Sequence, residues 1–583
     1  MMRRLFQLLA SLLFAVSFGA GCDFLRDPGD SSMNYCESDA ECAIGHCLSN
    51  VCAVPPESSY EIALQVIPSV NDSSRAPLST FISPLTVSDA HQHLELALTP
   101  MARVSGRVRF QNVAVPAVIS FTPARDDFAH MQRVEVETGD PLGDGSVDFV
   151  ASLIAELEYA IEIRPTSKPF DGSETSELIA AGQPASRQLP PARVGSARFE
   201  PGASSLDYDF DRALLDACGA TESRGCELRG LIRSEGRSGD PSLPSDIEIR
   251  AYELETNRMV SSIGIVREGE FSIRISEDAK DYRLQLSPAI GGSPYRATVM
   301  SGPFDADGAE EFLIYRYPVV EYEAIVFDSS GMVPVSGATV VFQTENVPDP
   351  LLEGSTSFFR ASAVSGEEGD RAGVVSVQLQ PGTFQVTVTP AASSEHGILV
   401  TEIEIPDDES TLSVRGQAFI LDRRASLELT VNTFSGLPAD NTDVQAVPSS
   451  SDADALSSEL TRHARTSQGL TDWDGRLTLP VDVGTYEILM RPAPHTGFPH
   501  ALFRFVHMTH PELIESLAVT IPPPALITGK LVDDLGGALS HATIRAYRLR
   551  RSDDEGGTQL TRVGEAITDE AGGYRLFLPS SPF

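Results

Sequence analysis

From about residue 97 onward, apolar and polar residues alternate in short runs, a period of two that sets one face in a core and the other in water. One phrase recurs: a Tyr or Phe opens an alternating strand that ends in proline. It comprises Tyr159, Ile161, Ile163 and Pro165, then Tyr282, Leu284, Leu286 and Pro288. It returns as Phe384, Val386, Val388 and Pro390, and as Tyr486, Ile488, Met490 and Pro492. Proline closes each strand because it has no N–H for the ladder. Just upstream of each copy a glycine turn opens another alternating strand, at Gly145 to Phe149, Gly269 to Ile273, Gly373 to Val377 and Gly475 to Leu479, with a fifth from Gly573 to Leu578. Further upstream lie pairs of opening strands around Pro or Gly turns, as from Val104 to Ile119, Ile325 to Val340 and Thr528 to Ile544. Helical periodicity is scarce, and only Asp452 to Arg465 reads as a short helix, placed in a loop.

Short strands at regular spacing with turn signals predict an all-β chain, a tandem array of about five β-sandwiches. The expected modules span 97–195, 218–300, 318–400, 424–515 and 524–583, after a β lead-in segment at 59–96. The fifth is expected to be incomplete. After Leu578 and Pro579 the chain stops at Phe583, before the Tyr-led strand that the other copies possess. Truncation is the favoured reading, and completion by a strand from a partner is the other.

The opening strand, the Pro-x-x-Ala-x-Val second strand and a Thr-Asp-x-x-Gly hairpin together resemble the carboxypeptidase regulatory-like, or prealbumin-like, β-sandwich. The hairpin is clearest from Thr471 to Gly475 and from Thr568 to Gly572, and the second strand from Pro334 through Ala338 to Val340. The resemblance covers residues 97 to 583. It implies a non-catalytic module that supports folding, adhesion or binding, and fold analogy by itself assigns no function.

Seven cysteines divide into one, four and two. Arg3 and Arg4 precede an apolar run from Leu5 to Phe18, and small residues lead to Cys22, which together make residues 1–21 a signal peptide. The run is too short for a comfortable membrane span. It resembles a bacterial lipoprotein signal, with Ala20 and Gly21 in place but Gly19 where Leu is usual. That resemblance implies lipidation of Cys22, a tether over 22–35 and a membrane reached through several acyl chains, since one chain holds only marginally. Ordinary secretion with Cys22 as a spare thiol is the alternative. The expected location is the outer membrane or cell surface, with Asp23 leaving the leaflet open.

Cys36, Cys42, Cys47 and Cys52 lie too close together to enclose a core, so cross-links must order residues 36–54. Two disulfides in one of three connectivities are expected. A zinc site with His46 as an added ligand competes less well, because no Cys-x-x-Cys pair is present. The cluster resembles the cysteine-rich knots that follow the lipid anchor in myxobacterial surface lipoproteins. Cys218 and Cys226 are expected to pair with each other.

Charge narrows the partners. A net charge of −38 argues against binding a nucleic-acid backbone, which needs a basic patch, and gives a soluble, self-repelling surface. The chain lacks a Gly-x-Ser-x-Gly elbow, a His-Glu-x-x-His helix, a P-loop and a dinucleotide fingerprint. It therefore reads as no enzyme, with no cofactor and no metal. His495, His500, His507 and His510 crowd one segment, but without an acidic or cysteine partner at fixed spacing they read as surface histidines, as do His91 and His93. Asp305 to Gly308 and Asp472 to Gly475 begin like calcium loops without the remaining ligands, and Asp-Gly is a common hairpin turn. Trp473, the single tryptophan, sits at a hairpin tip, set either to touch a sugar or protein or to pack on its own sheet.

The expected function is a structural or adhesive cell-envelope lipoprotein whose modules follow one another as a rod. The alternative is a carbohydrate- or protein-binding array acting through the loops at one sandwich end. Nothing in the sequence indicates an oligomeric state.

Overall fold

The computed structural model describes residues 33–69, 80–98, 100–110, 113–124, 133–139, 148–166, 189–210, 227–276, 279, 281–288, 293–302, 304, 309–367, 369–407, 413–449, 458–533, 535–551 and 558–581. Nearly all of its regular structure is β, arranged as five sandwiches and a small N-terminal knot. Module 4 shows the plan. Strand Ala425–Thr433 pairs antiparallel with Arg476–Val481 and parallel with Ile514–Ile521. The facing sheet runs Ser467–Leu470, Asp443–Pro448, Gly484–Arg491, Ala501–Met508. Alternation along these strands turns Leu427, Leu429, Val431, Val444, Tyr486, Ile488 and Val519 into one buried cluster. Each such side chain contributes about 1.5–3 kcal/mol by leaving water.

The Thr-Asp-x-x-Gly hairpin has a clear physical role in this plan. Thr471 Oγ1 donates to Ala439 O (2.6 Å) and accepts from Thr442 N (2.9 Å), which staples the hairpin to the second strand. Thr568 does the same with Leu539 O (2.7 Å) and Ala542 N (2.8 Å) in module 5. The Asp472 and Asp569 carboxylates accept from their own turn N–H groups, at Arg476 and Gly573 (2.7 Å each).

Each contiguous module ends in a parallel strand that the sequence reading did not place: Gly202–Ser205, Ala309–Tyr315, Ser413–Arg415 with Phe419–Leu421, and Ile514–Ile521. A parallel neighbour arrives by a crossover, so no hairpin turn announces it. In modules 1 and 2 the opening strand carries a glycine where this backbone comes closest. A Cβ at Gly106 would stand 1.8 Å from Leu206 O, and one at Gly230 would stand 2.4 Å from Glu310 O.

Module 5 is complete, which corrects both readings of the fifth copy. Residues 60–97 supply its missing strands. Tyr60–Ile67 pairs antiparallel with Thr543–Arg551, and Thr80–Val87 adds to its other edge. His91–His93 and Leu96–Ala97 pair parallel with Pro524–Val532. At Gly529 a Cβ would stand 1.8 Å from Leu94 O, the same close approach seen in module 1. Tyr60, Ile62, Leu64, Val66 and Leu96 share one core with Ile527, Leu531, Ile544, Leu576 and Leu578. The lead-in segment is therefore not a separate element but the closing half of the last sandwich. The edge of Thr543–Arg551 that the expected partner strand would have taken is occupied by Tyr60–Ile67 of the same chain.

This closure makes the order of modules circular. Module 5 adjoins module 4 through residues 522–523 and module 1 through the link from Leu98 to Met101. An open rod with the fifth module at its far end does not fit that connectivity. Contacts run along the rest of the circle. Strand Ala297–Ser301 of module 2 pairs with Ser355–Phe358 from module 3, giving one six-stranded sheet across the junction. Buried Arg296 reaches Gln380 Oε1 (3.1 Å) and Pro381 O (2.8 Å) at that same seam.

Candidate functional site

Among the described residues, three places bring chemistry-bearing residues together: the seam where the knot meets modules 4 and 5, the seam between modules 3 and 4, and the exposed end of module 4. The knot holds two disulfides, Cys36–Cys47 and Cys42–Cys52. One of the three open connectivities is thereby selected, with all four sulfurs of the cluster in these two bonds. His46 turns instead to Asp39, Nδ1 to Oδ2 at 3.1 Å. Hydrogen bonds from His46 and from the Cys47 N–H hold the Asp39 carboxyl below its ordinary range, the backbone bond counting most.

The knot is welded to the array. Asn34 N donates to Thr496 O (2.8 Å), and its Nδ2 donates to Gly497 O (3.1 Å) and Cys52 O (3.0 Å). Val54 N donates to Pro524 O, and Glu57 N to Ser580 O. Val51 and Ala53 pack with Leu526 and Phe577 in a small buried cluster. Gly497 adopts φ +80°, and a Cβ there would stand 3.0 Å from Asn34 O, so glycine suits the contact twice over.

The histidines separate by environment. His495, His507 and His510 are exposed, as expected. His507 Nδ1 meets Thr485 Oγ1 at 3.1 Å. His500 is the exception, only 5% exposed at the junction with module 5, where its N–H donates to Val563 O (3.2 Å). Burial first, and then the positive charges of Arg562, Arg491 and Arg545, push its imidazole down to about 3. Nothing in its local sequence signals this, because the residues that bury it belong to another module. His91 and His93 are exposed on one strand, with His91 Nε2 against Thr528 Oγ1 at 2.7 Å.

Between modules 3 and 4 lies a second buried charge group that the sequence reading missed. Asp482, with no side-chain exposure, binds Arg465 (2.7 Å) and stands 3.4 Å from Arg424. Arg465 carries the linkage onward to Pro390 O, Ala391 O and His396 O of module 3. Burial would raise the Asp482 carboxyl, but the Arg465 hydrogen bond and the Arg424 charge outweigh it and hold the carboxyl below its usual range.

At the free end of module 4, Trp473 is 78% exposed, which rules out packing on its own sheet. Leu437 and Leu470 are exposed on the neighbouring turn and strand. The two turns abut, since a Cβ on Gly475 would meet Pro438 Cα at 3.3 Å. Cys22, Cys218, Cys226 and the stretch from Asp305 to Gly308 lie outside the described residues. No helix among the described residues is long and apolar enough to cross a membrane.

No family model matches this chain. No curated protein matches it either. Among solved structures it is similar to the Bacillus anthracis TIE protein, at 10% identity over 72% of this chain and 73% of that one, with a TM-score of 0.16. A streptococcal ancillary pilin matches at 10% identity over 54% and 98%, with a TM-score of 0.19. BcpA, the major pilin subunit of Bacillus cereus, matches at 9% identity over 51% and 99%, with a TM-score of 0.13. Superpositions this loose carry no argument about what the chain does.

Proposed function

We propose that this protein is a non-catalytic, structural or adhesive lipoprotein of the cell envelope, tethered through Cys22. The observation that carries the reading is the closure of module 5 by residues 60–97. The segment that follows the tether is built into the last sandwich and pinned by the knot, so a load applied at residue 22 enters through the knot at the joint of modules 4 and 5. Modules 1 to 4 then form a loop of chain held at both ends by one joint. The buried inter-module contacts of Arg296 and Arg465 suit a part whose modules keep their relative positions.

Mass spectrometry of the mature N-terminus tests the tether. A diacylglyceryl modification on Cys22 is expected, and an unmodified Cys22 would remove the anchored reading. Non-reducing peptide mapping is expected to find Cys218 linked to Cys226, and reactive thiols at those positions would overturn that pairing.

A second reading rests on Trp473. An aromatic ring exposed beside Leu437 and Leu470 at a sandwich end suits stacking on a sugar or a partner side chain. A glycan array probed with the mature protein and with Trp473→Ala decides between them. Binding that disappears in the variant favours recognition through this end, and an array without signal favours the structural role alone.

A further inference from the structure

The seam between modules 4 and 5 contains a set of positive groups with unused donors. Arg491 ends the strand that pairs with Ala501–Met508, and Met490 stands opposite Ala501, so Arg491 and His500 flank the same end of the ladder. His500 is fixed against Val563, next to Arg562 of module 5. Arg562 and Arg545 share Glu565, at 3.1 and 2.8 Å. Arg491 has only a loose contact with Asp443, at 3.8 Å. Three guanidiniums thus face two carboxylates, leaving one positive charge over in a protein whose net charge is −38.

Three nitrogen atoms of this group, His500 Nδ1, Arg491 Nε and Arg562 Nε, are buried without a hydrogen-bond partner among the described residues. A buried polar group left unpaired is costly, and the two Nε–H donors of Arg491 and Arg562 beside the unpaired His500 ring nitrogen invite an acceptor. The arginine side chains remain partly open, 25% exposed at Arg491 and 23% at Arg562, so a small solute can reach them. Tyr547, opposite Arg562 in the ladder, already donates to Gln65 Oε1 and does not compete for the position.

We propose that Arg491, His500 and Arg562 form a binding site for a small oxyanion or carboxylate at the junction of modules 4 and 5. Planar guanidiniums match such oxygens with paired N–H donors, and a neutral imidazole in the tautomer that carries its proton on Nδ1 adds a donor without another buried charge. An anion there bridges two modules, and would tighten the joint that closes the circle. The site is independent of whether Cys22 is lipidated.

Isothermal titration of the full mature chain with phosphate, sulfate and glucuronate, each at constant ionic strength against chloride, tests the site and separates its possible sources. One of the three is expected to bind with a stoichiometry of one, and Arg491→Gln or Arg562→Gln to weaken it about tenfold. Arg476→Gln, on the exposed hairpin of module 4, is expected to leave binding unchanged. Selective histidine 15N spectra supply a readout that needs no variant: the His500 ring signals should shift on adding the anion while those of His507 and His510 stay in place. Absence of binding by all three anions, or binding that leaves the His500 signals unmoved, overturns the proposal.

Discussion

Modules 4 and 5 share one strand plan but differ in how the chain supplies it. Tyr486 donates its hydroxyl to Asp482 O at 3.0 Å, four residues upstream. Tyr60 makes the corresponding bond to Pro579 O at 2.6 Å, across 519 residues. Both hydroxyls are buried, and burial raises both above their ordinary range. The native contacts are equivalent, while the loop that must close before they form is far longer in module 5. Loop-closure entropy grows only slowly with length, so such a split costs stability little and folding speed more. Module 4 can form as soon as its own segment exists, whereas module 5 needs both ends of the chain.

The sharpest way to break the comparison is to remove residues 54–98. Module 5 would lose Tyr60, Ile62, Leu64, Val66 and Leu96 from its core. At about 1.5–3 kcal/mol for each, the loss matches or exceeds the stability of a typical domain. Hydrogen exchange is expected to show residues 524–581 unprotected while 425–521 stays protected, and a separate peptide of residues 54–98 should restore protection. Retained protection without the peptide would show that residues 524–581 fold alone.

Single core truncations should act alike in the two modules. Ile62→Ala and Ile488→Ala are each expected to cost about 2–5 kcal/mol in denaturant melts, because both side chains are fully buried in matching sheets. A much smaller cost at Ile62 would mean that the N-terminal strands dock loosely.

Acid distinguishes the seams on either side of module 4. His500 stays neutral in the folded protein down to about pH 3, while the unfolded chain protonates it near 6.5. The unfolded state therefore binds the extra proton across that window. Stability is full above pH 6.5 and falls as pH drops toward 3, by about 1.4 kcal/mol per unit. Asp482 works at lower pH: its depressed folded value gives stability that is present above about 3.9 and lost only as pH falls through that lower value. Between pH 6.5 and 4, exchange protection should fail first around Val563 and His500 while the contacts of Arg465 hold. His500→Gln should flatten the response, and an unchanged slope in that variant would assign it to other groups.

The smallest expected effect comes from the two tyrosines. Tyr60→Phe and Tyr486→Phe each remove one hydrogen bond to a backbone carbonyl, worth about 1 kcal/mol by thermal melting. Equal losses would confirm that the split leaves the finished bond unchanged, and a larger loss at Tyr60 would place strain in the joint.

Much of this was legible in the chain. Alternation with period two identified the strands and their buried faces, and the Thr471 and Thr568 hairpins fell where their turns announce them. One local signal went unread: Tyr60, Ile62, Leu64, Val66 and Pro68 repeat the recurring phrase upstream of every other copy. That phrase identifies residues 60–67 as the strand module 5 lacks. The burial of His500 carried no comparable signal, since Arg562 and Val563 reach it from more than sixty residues away.

By itself the sequence determined the fold class, the strand faces, the turn chemistry and the cross-linked cluster, because each depends on residues near one another along the chain. Tertiary structure alone decided which cysteines pair, which strand completes which sandwich and which charges are buried together. A period of two states which face is wet and which dry, but any exposed ladder edge accepts any strand of matching face. The choice of Tyr60–Ile67 for the edge at Thr543–Arg551 is made by packing against the shared core.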